Sequence, residues 1–139
     1  MSIVMDGQCL CGAVSVHLKV PEATVDACHC GMCVRWGGGA YLSTRMAEEM
    51  EIEGEEYVTR FRSSKWAERS FCSQCGTHLL FTYLPTGSTS FSPGLFSDAK
   101  GFALQEEIFI DAKPDYYEFA GERPRLTEAE VMEKYKPQT

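Results

Sequence analysis

The chain has 139 residues, 44% of them hydrophobic and 24% charged, with a formal net charge of −7. That length suits a single domain over residues 1–139, and the composition argues against disorder. The negative charge repels phosphate, so neither nucleic acid nor an anionic membrane is an expected partner.

The first segment, Met1 to Gly12, has neither the charged start nor the apolar run of a secretory signal. No apolar stretch approaches the length of a membrane span. The expected location is a reducing cytoplasm. Next comes a half-buried strand: Val14, Val16, Leu18 and Val20 fall on one face, Ser15, His17 and Lys19 on the other, and Pro21 ends it. Further strands are expected over Ala40 to Ser43, Tyr57 to Arg62, Arg69 to Cys72, His78 to Tyr83 and Ile108 to Ile110. Turn residues separate them at Gly37-Gly38-Gly39, Gly54, Ser63-Ser64, Pro85 to Ser88 and Pro93-Gly94. One helix is expected near the end. Thr127 and Glu130 have the spacing of a capping box, Ala129, Val131, Met132 and Tyr135 supply apolar positions, and Pro137 stops it. The pattern predicts a mainly β fold with one short C-terminal helix, without the helix–strand alternation that builds parallel sheets.

Seven cysteines fall into three groups: Cys9-x-Cys11, Cys28-His29-Cys30-x-x-Cys33 and Cys72-x-x-Cys75. An odd number in a reducing compartment points to metal ligands rather than disulfides. Zinc takes four ligands in a tetrahedron, and a tight loop presents two sulfurs to one ion. Glycine follows a cysteine at Gly12, Gly31 and Gly76, where a knuckle turns sharply and backbone N–H groups face the sulfur. A lone cysteine is usually a small buried hydrophobe; seven in three tight groups are not. Two pairs would make one closed site and leave Cys28, Cys30 and Cys33 as an open one. Spacing equally allows Cys30 and Cys33 to join Cys72 and Cys75 in a zinc ribbon, which strands Cys9, Cys11 and Cys28. Counting does not decide between them.

The stretches Gly7-Gln8-Cys9-Leu10-Cys11-Gly12-Ala13-Val14, Cys28-His29-Cys30-Gly31-Met32-Cys33 and Phe71-Cys72-Ser73-Gln74-Cys75-Gly76 resemble the glutathione-dependent formaldehyde-activating enzyme family, to which the centromere protein V type belongs. The resemblance extends weakly to Ile108-Phe109-Ile110-Asp111-Ala112-Lys113-Pro114; Glu107 stands just before it, where many relatives carry histidine. It implies a β-tent of packed antiparallel sheets built around zinc knuckles. It also implies two zinc ions: a structural one on Cys9, Cys11, Cys72 and Cys75, and a catalytic one on Cys28, Cys30 and Cys33, the second site filling only in part. The activity it implies is that of a carbon–sulfur lyase resembling S-(hydroxymethyl)glutathione synthase. The partner would be a small thiol such as glutathione or its formaldehyde adduct.

Three thiolates more than cancel the charge of a zinc ion, so such a site is a weak generator of hydroxide and suits a fourth, sulfur ligand. A thiol bound there loses its proton and becomes an oriented nucleophile. A carboxylate-bearing thiol needs cations. Arg35, two residues past Cys33, is the first candidate, ahead of Arg60, Arg62, Lys65 and Arg69, which read as a solvated face. Trp36 is a candidate pocket wall that would serve equally as a core plug. His29, in the middle of C-x-C, should point away from a shared metal; a general-base role stands against a structural hydrogen bond. Asp26 and Asp98 are candidate proton acceptors that read first as solvated turn residues. No role is assigned to His17 or His78, and Tyr116 and Tyr117 are expected to pack near the C-terminal edge. A non-catalytic zinc-stabilised binding module is the rival function; chromatin binding and a C-x-x-C redox pair are weaker ones.

Overall fold

The computed structural model describes residues 2–135, so the stop assigned to Pro137 lies outside the described residues. Among them the strands are β1 (Ile3–Gln8), β2 (Ser15–Val20), β3 (Thr24–Cys28), β4 (Tyr41–Thr44), β5 (Glu49–Glu53) and β6 (Val58–Arg62). They continue with β7 (Ala67–Cys72), β8 (His78–Tyr83), β9 (Ser88–Phe91), β10 (Ala103–Ile108) and β11 (Arg125–Leu126). The two helices are α1 (Gly31–Gly37) and α2 (Glu128–Lys134). The fold is mainly β, with three sheets. No helix among the described residues is long and apolar enough to cross a membrane. The chain divides into two units, Met1–Thr24 with Ser43–Ala103, and Val25–Leu42 with Leu104–Thr139.

In the first unit, β1, β2 and β5 form an antiparallel sheet in that order, and β6, β7, β8 and β9 form a second. The alternation read in β2 holds: Val16, Leu18 and Val20 are buried and the residues between them are not. Val14 joins them with Leu79, Leu80 and Phe91 in one apolar core. On the other face of β2, His17 Nδ1 lies 2.5 Å from Asp6 and Nε2 lies 3.4 Å from Glu53. The hydrogen bond with Asp6, more than the Glu53 contact, raises the imidazole above its usual range. A group raised on folding stabilises fully below its unfolded pKa, and that contribution disappears as pH rises through the folded value. Because the pair is solvent-exposed the effect is small. His17→Gln should therefore flatten the fall of the urea midpoint as pH rises above about 6.5, the unfolded imidazole value. Superimposable profiles for the two proteins would remove the pair as a contributor.

The second unit is built on a four-stranded sheet in the order β11-β10-β3-β4, with β10 and β11 parallel. The helix α2 starts as its sequence predicts: the Thr127 hydroxyl accepts the Glu130 N–H at 3.2 Å, and the Glu130 carboxylate accepts the Thr127 N–H at 2.9 Å. Of its four apolar positions only Val131 is buried. Instead, Lys134 Nζ and the Tyr135 hydroxyl donate to the buried Glu106 carboxylate at 3.0 and 3.2 Å. Polar anchoring replaces the apolar stripe here.

The expected strand at Ile108 to Ile110 is corrected. The strand runs earlier, as β10, and ends at Ile108 because Phe109 takes a left-handed backbone, φ 57°. A residue with a Cβ is strained there, and it turns the chain into the short helical turn Ile110–Ala112. The strand escaped the pattern reading because its two buried residues are glutamates, Glu106 and Glu107.

Candidate metal centres

Each end of the closed cysteine pair is a knuckle made by a left-handed glycine. After Cys9 the chain turns at Gly12, φ 82°, whose N–H donates to the Cys9 carbonyl at 3.1 Å. After Cys72 it turns at Gly76, φ 78°, whose N–H donates to the Cys72 carbonyl at 2.8 Å. The backbone then donates to sulfur, Val14 N–H to Cys9 Sγ at 3.3 Å and Gln74 N–H to Cys72 Sγ at 3.4 Å. A further bond, Leu10 N–H to Thr77 Oγ1 at 3.1 Å, joins the two knuckles.

These turns bring Cys9, Cys11, Cys72 and Cys75 together, with every pair of sulfurs within 4.8 Å. The separations Cys9–Cys11 and Cys11–Cys72 are 3.7 and 3.8 Å. A tetrahedron with metal–sulfur bonds of about 2.3 Å has sulfur–sulfur edges of about 3.8 Å, whereas a disulfide needs about 2.0 Å. The geometry fits a metal ion and not a disulfide.

The electrostatics agree. Burial alone would raise Cys9, but the Val14 N–H and the thiols of Cys11 and Cys72 outweigh it and leave it below the usual thiol range. The Thr77 hydroxyl, then its N–H, brings Cys75 down to about 5. The Ala13 N–H favours ionised Cys11, yet burial and the thiols of Cys75, Cys9 and Cys72 push it up to about 12. Four sulfurs this close cannot all ionise unaided; a divalent cation removes that conflict.

The second group gathers Cys28, Cys30 and Cys33, again with all sulfurs within 4.8 Å. Cys28 ends β3, and Cys30 is the N-cap of α1, its sulfur accepting the Cys33 N–H at 3.4 Å. The helix α1 was not expected from sequence, and it corrects the reading of Gly31: that glycine opens the helix, and the left-handed glycine of the segment is Gly38 at its end, φ 90°. Within the trio, hydrogen bonds from Cys28, then Cys33, hold the Cys30 thiol far below its usual range, while Cys28 is pushed far above. The same conflict recurs with three sulfurs.

His29 lies between two of these cysteines and is fully buried. Its Nε2 is 2.8 Å from Glu107 Oε1 and its Nδ1 is 2.6 Å from the Tyr117 hydroxyl. An ionised carboxylate only accepts, so Nε2 carries the hydrogen. Glu107 in turn accepts from Arg123 Nη1 at 2.6 Å and Arg125 Nε at 3.0 Å. Burial would raise its carboxyl, but Arg123, His29 and Arg125 hold it below the usual carboxylate range. Burial, followed by the charges of Tyr116, Cys28 and Glu107, raises the Tyr117 phenol, which keeps it a neutral O–H.

The remaining candidates separate by unit. Arg35 is exposed in the last turn of α1, and Trp36 beside it is half-buried. Arg60, Arg62, Lys65 and Arg69 belong to the first unit. There Arg60 pairs with Glu55 and Glu68, Arg62 donates to the Ser64 and Lys65 carbonyls, and buried Arg69 lies over the Phe81 ring. Asp98 is exposed in a turn as expected, whereas Asp26 is corrected from turn to strand, half-buried in β3. Tyr117 does more than pack at an edge, and Glu107, Arg123 and Arg125 had no assigned role. A further signal for Glu107 was the pair of consecutive glutamates inside an otherwise strand-like run.

The family model for glutathione-dependent formaldehyde-activating enzymes matches residues 4–112. An uncharacterized lyase of Schizosaccharomyces pombe is 32% identical over 128 residues, which cover 91% of this chain and 93% of that protein. The crystal structure of a Rhodobacter sphaeroides protein aligns with a TM-score of 0.59 at 20% identity, covering 73% of this chain and 100% of that one. At that identity the last likeness speaks for the fold alone.

Proposed function

The chain belongs to the glutathione-dependent formaldehyde-activating enzyme family, and from that premise we propose that it is a zinc-dependent carbon–sulfur lyase acting on a small thiol adduct. Cys9, Cys11, Cys72 and Cys75 would hold a structural zinc, and Cys28, Cys30 and Cys33 a catalytic one. The observation that carries this reading is the trio itself: three convergent sulfurs, joined by no fourth ligand among the described residues. Both ring nitrogens of the adjacent His29 are engaged elsewhere. Three protein ligands and an open position are the pattern of a catalytic zinc.

Zinc bound there supplies a soft Lewis acid that favours a deprotonated outside sulfur. The chain's own groups do the rest. The Cys33 N–H stabilises the Cys30 thiolate, and the burial of Cys33 and His29 keeps bulk water from one side of the trio. Arg35, exposed at the far end of the helix that carries Cys33, would take the carboxylate of a glutathione-like thiol. In the addition of a thiol to formaldehyde, a carbon–sulfur bond forms and the thiol proton ends on the carbonyl oxygen. The lyase direction reverses both changes, and neither needs an oxidant or a reductant.

The test is a titration of cobalt-substituted protein with thiols. Millimolar glutathione should change the absorption of one cobalt ion and leave the other untouched; an unmoved spectrum would exclude this substrate class. Arg35→Ala should weaken glutathione by about ten- to a hundredfold, the loss of one charge-assisted contact, and leave mercaptoethanol unaffected. Equal losses for both thiols would place Arg35 in the scaffold instead.

A further inference from the structure

The match to the family ends at residue 112, yet the three side chains that hydrogen-bond the His29–Glu107 pair from outside it come later in the chain: Tyr117, Arg123 and Arg125. We propose that residues 113–126 are a working part of the open thiol site, with Tyr117 and Glu107 as its positioning residues. They fix the His29 ring, and through it the Cys28–Cys30 segment, at the spacing that a metal ion requires. The inference rests on the metal reading above.

His29 is bonded to its two neighbouring cysteines through the backbone, so holding both its ring and its main chain restrains the segment that carries them. The ring is held at both nitrogens, and the His29 N–H donates to the Ile108 carbonyl at 3.0 Å. Phe119 and Tyr117 pack on the ring, with centroids at 5.9 and 5.5 Å. The later segment is itself tied down. Arg123 donates to the Leu104 and Ala120 carbonyls, and Arg125 to the Gly121 carbonyl at 2.8 Å. Lys113 Nζ lies over the Tyr117 ring and donates to the Tyr117 carbonyl at 2.6 Å. The Tyr116 hydroxyl donates to the Gly38 carbonyl at 2.8 Å, at the end of the helix that carries Cys33. The segment therefore grips both parts of the chain that supply the three sulfurs.

A buried carboxylate and imidazole joined by two part-buried guanidiniums is an inefficient way to stabilise a fold, since apolar packing of the same volume often does as well or better. Groups behind metal ligands, by contrast, commonly set ligand orientation and affinity. Glu106 and Glu107 divide the two tasks. Neighbours on a strand point to opposite faces, and Glu106 anchors α2 while Glu107 anchors His29.

The experiment is cobalt binding to the full chain carrying Tyr117→Phe or Glu107→Gln, with the two sites followed separately. Tyr117→Phe removes one hydroxyl and leaves the ring; Glu107→Gln keeps the shape and loses the charge. Both should lower the affinity of the trio about ten- to a hundredfold and move its absorption bands. The four-cysteine site should be unchanged, which a general loss of stability would not produce. If Glu107→Gln fails to fold, Tyr117→Phe decides. Two cobalt ions in the unaltered protein, with wild-type affinity and spectrum in the variants, would overturn the inference and leave the metal reading intact. A single cobalt ion in the unaltered protein would overturn both.

Discussion

Replacing Cys72 with serine should unfold the first unit. Cys72 is fully buried at the end of β7, and its sulfur accepts from Gln74 and meets Cys11 at 3.8 Å. A structural zinc on four thiolates contributes about 10–16 kcal/mol of apparent free energy, comparable to the whole stability of a domain, about 5–15 kcal/mol. Serine cannot replace a thiolate ligand at neutral pH. It would also leave the three remaining sulfurs crowded without a complete coordination shell. Cys9→Ser, at the opposite knuckle, should do the same. Far-UV circular dichroism and thermal melts check both variants, with the unaltered protein treated with a chelator as the reference. A soluble Cys72→Ser protein that melts cooperatively at the wild-type temperature would rule out a structural ion at this site.

Cys30→Ser should give the opposite result: a folded protein with one metal ion instead of two and no turnover. Cys30 is the N-cap of α1, where its sulfur accepts the Cys33 N–H. Serine is among the best N-cap residues, so the hydroxyl can take over that hydrogen bond and the helix survives. What disappears is one thiolate of three, and affinity at the trio should fall by more than about a hundredfold, the upper figure for losing only a supporting group. Metal analysis by mass spectrometry, beside a melting curve, reads both quantities. Equal thermal damage at all seven cysteine positions would end the division into a closed and an open site.

Metal and fold depend on different kinds of information in this chain. The knuckles were legible because their cause is local: a C-x-C or C-x-x-C turn needs a left-handed residue, and Gly12 and Gly76 stand where it is required. The strand β2 and the cap of α2 were legible for the same reason, each depending on residues two or three positions apart. Strands β1, β3, β5, β9 and β11 were not read. Two of them, Glu49–Glu53 and Ser88–Phe91, carry few apolar residues and hold their place by pairing, the first with distant β2 and the second in a hairpin with β8. The alternation of glutamate in Glu49-Met50-Glu51-Ile52-Glu53 was a usable period-two signal.

By itself the sequence determined that the cysteines fall into groups with metal-ligand spacing, that the chain is mainly β, and which family pattern it follows. Spacing left two groupings of those cysteines equally open, because it constrains only the sulfurs within one turn. The tertiary structure brought Cys9 and Cys11 to Cys72 and Cys75 across about sixty residues and left Cys28, Cys30 and Cys33 as a separate trio. It alone revealed what surrounds that trio. His29, Glu107, Tyr117, Arg123 and Arg125 share no local motif, and each is an ordinary polar residue in sequence. They become one unit because a buried carboxylate must be satisfied in full, and its partners are whichever side chains the sheet and the following segment deliver to it.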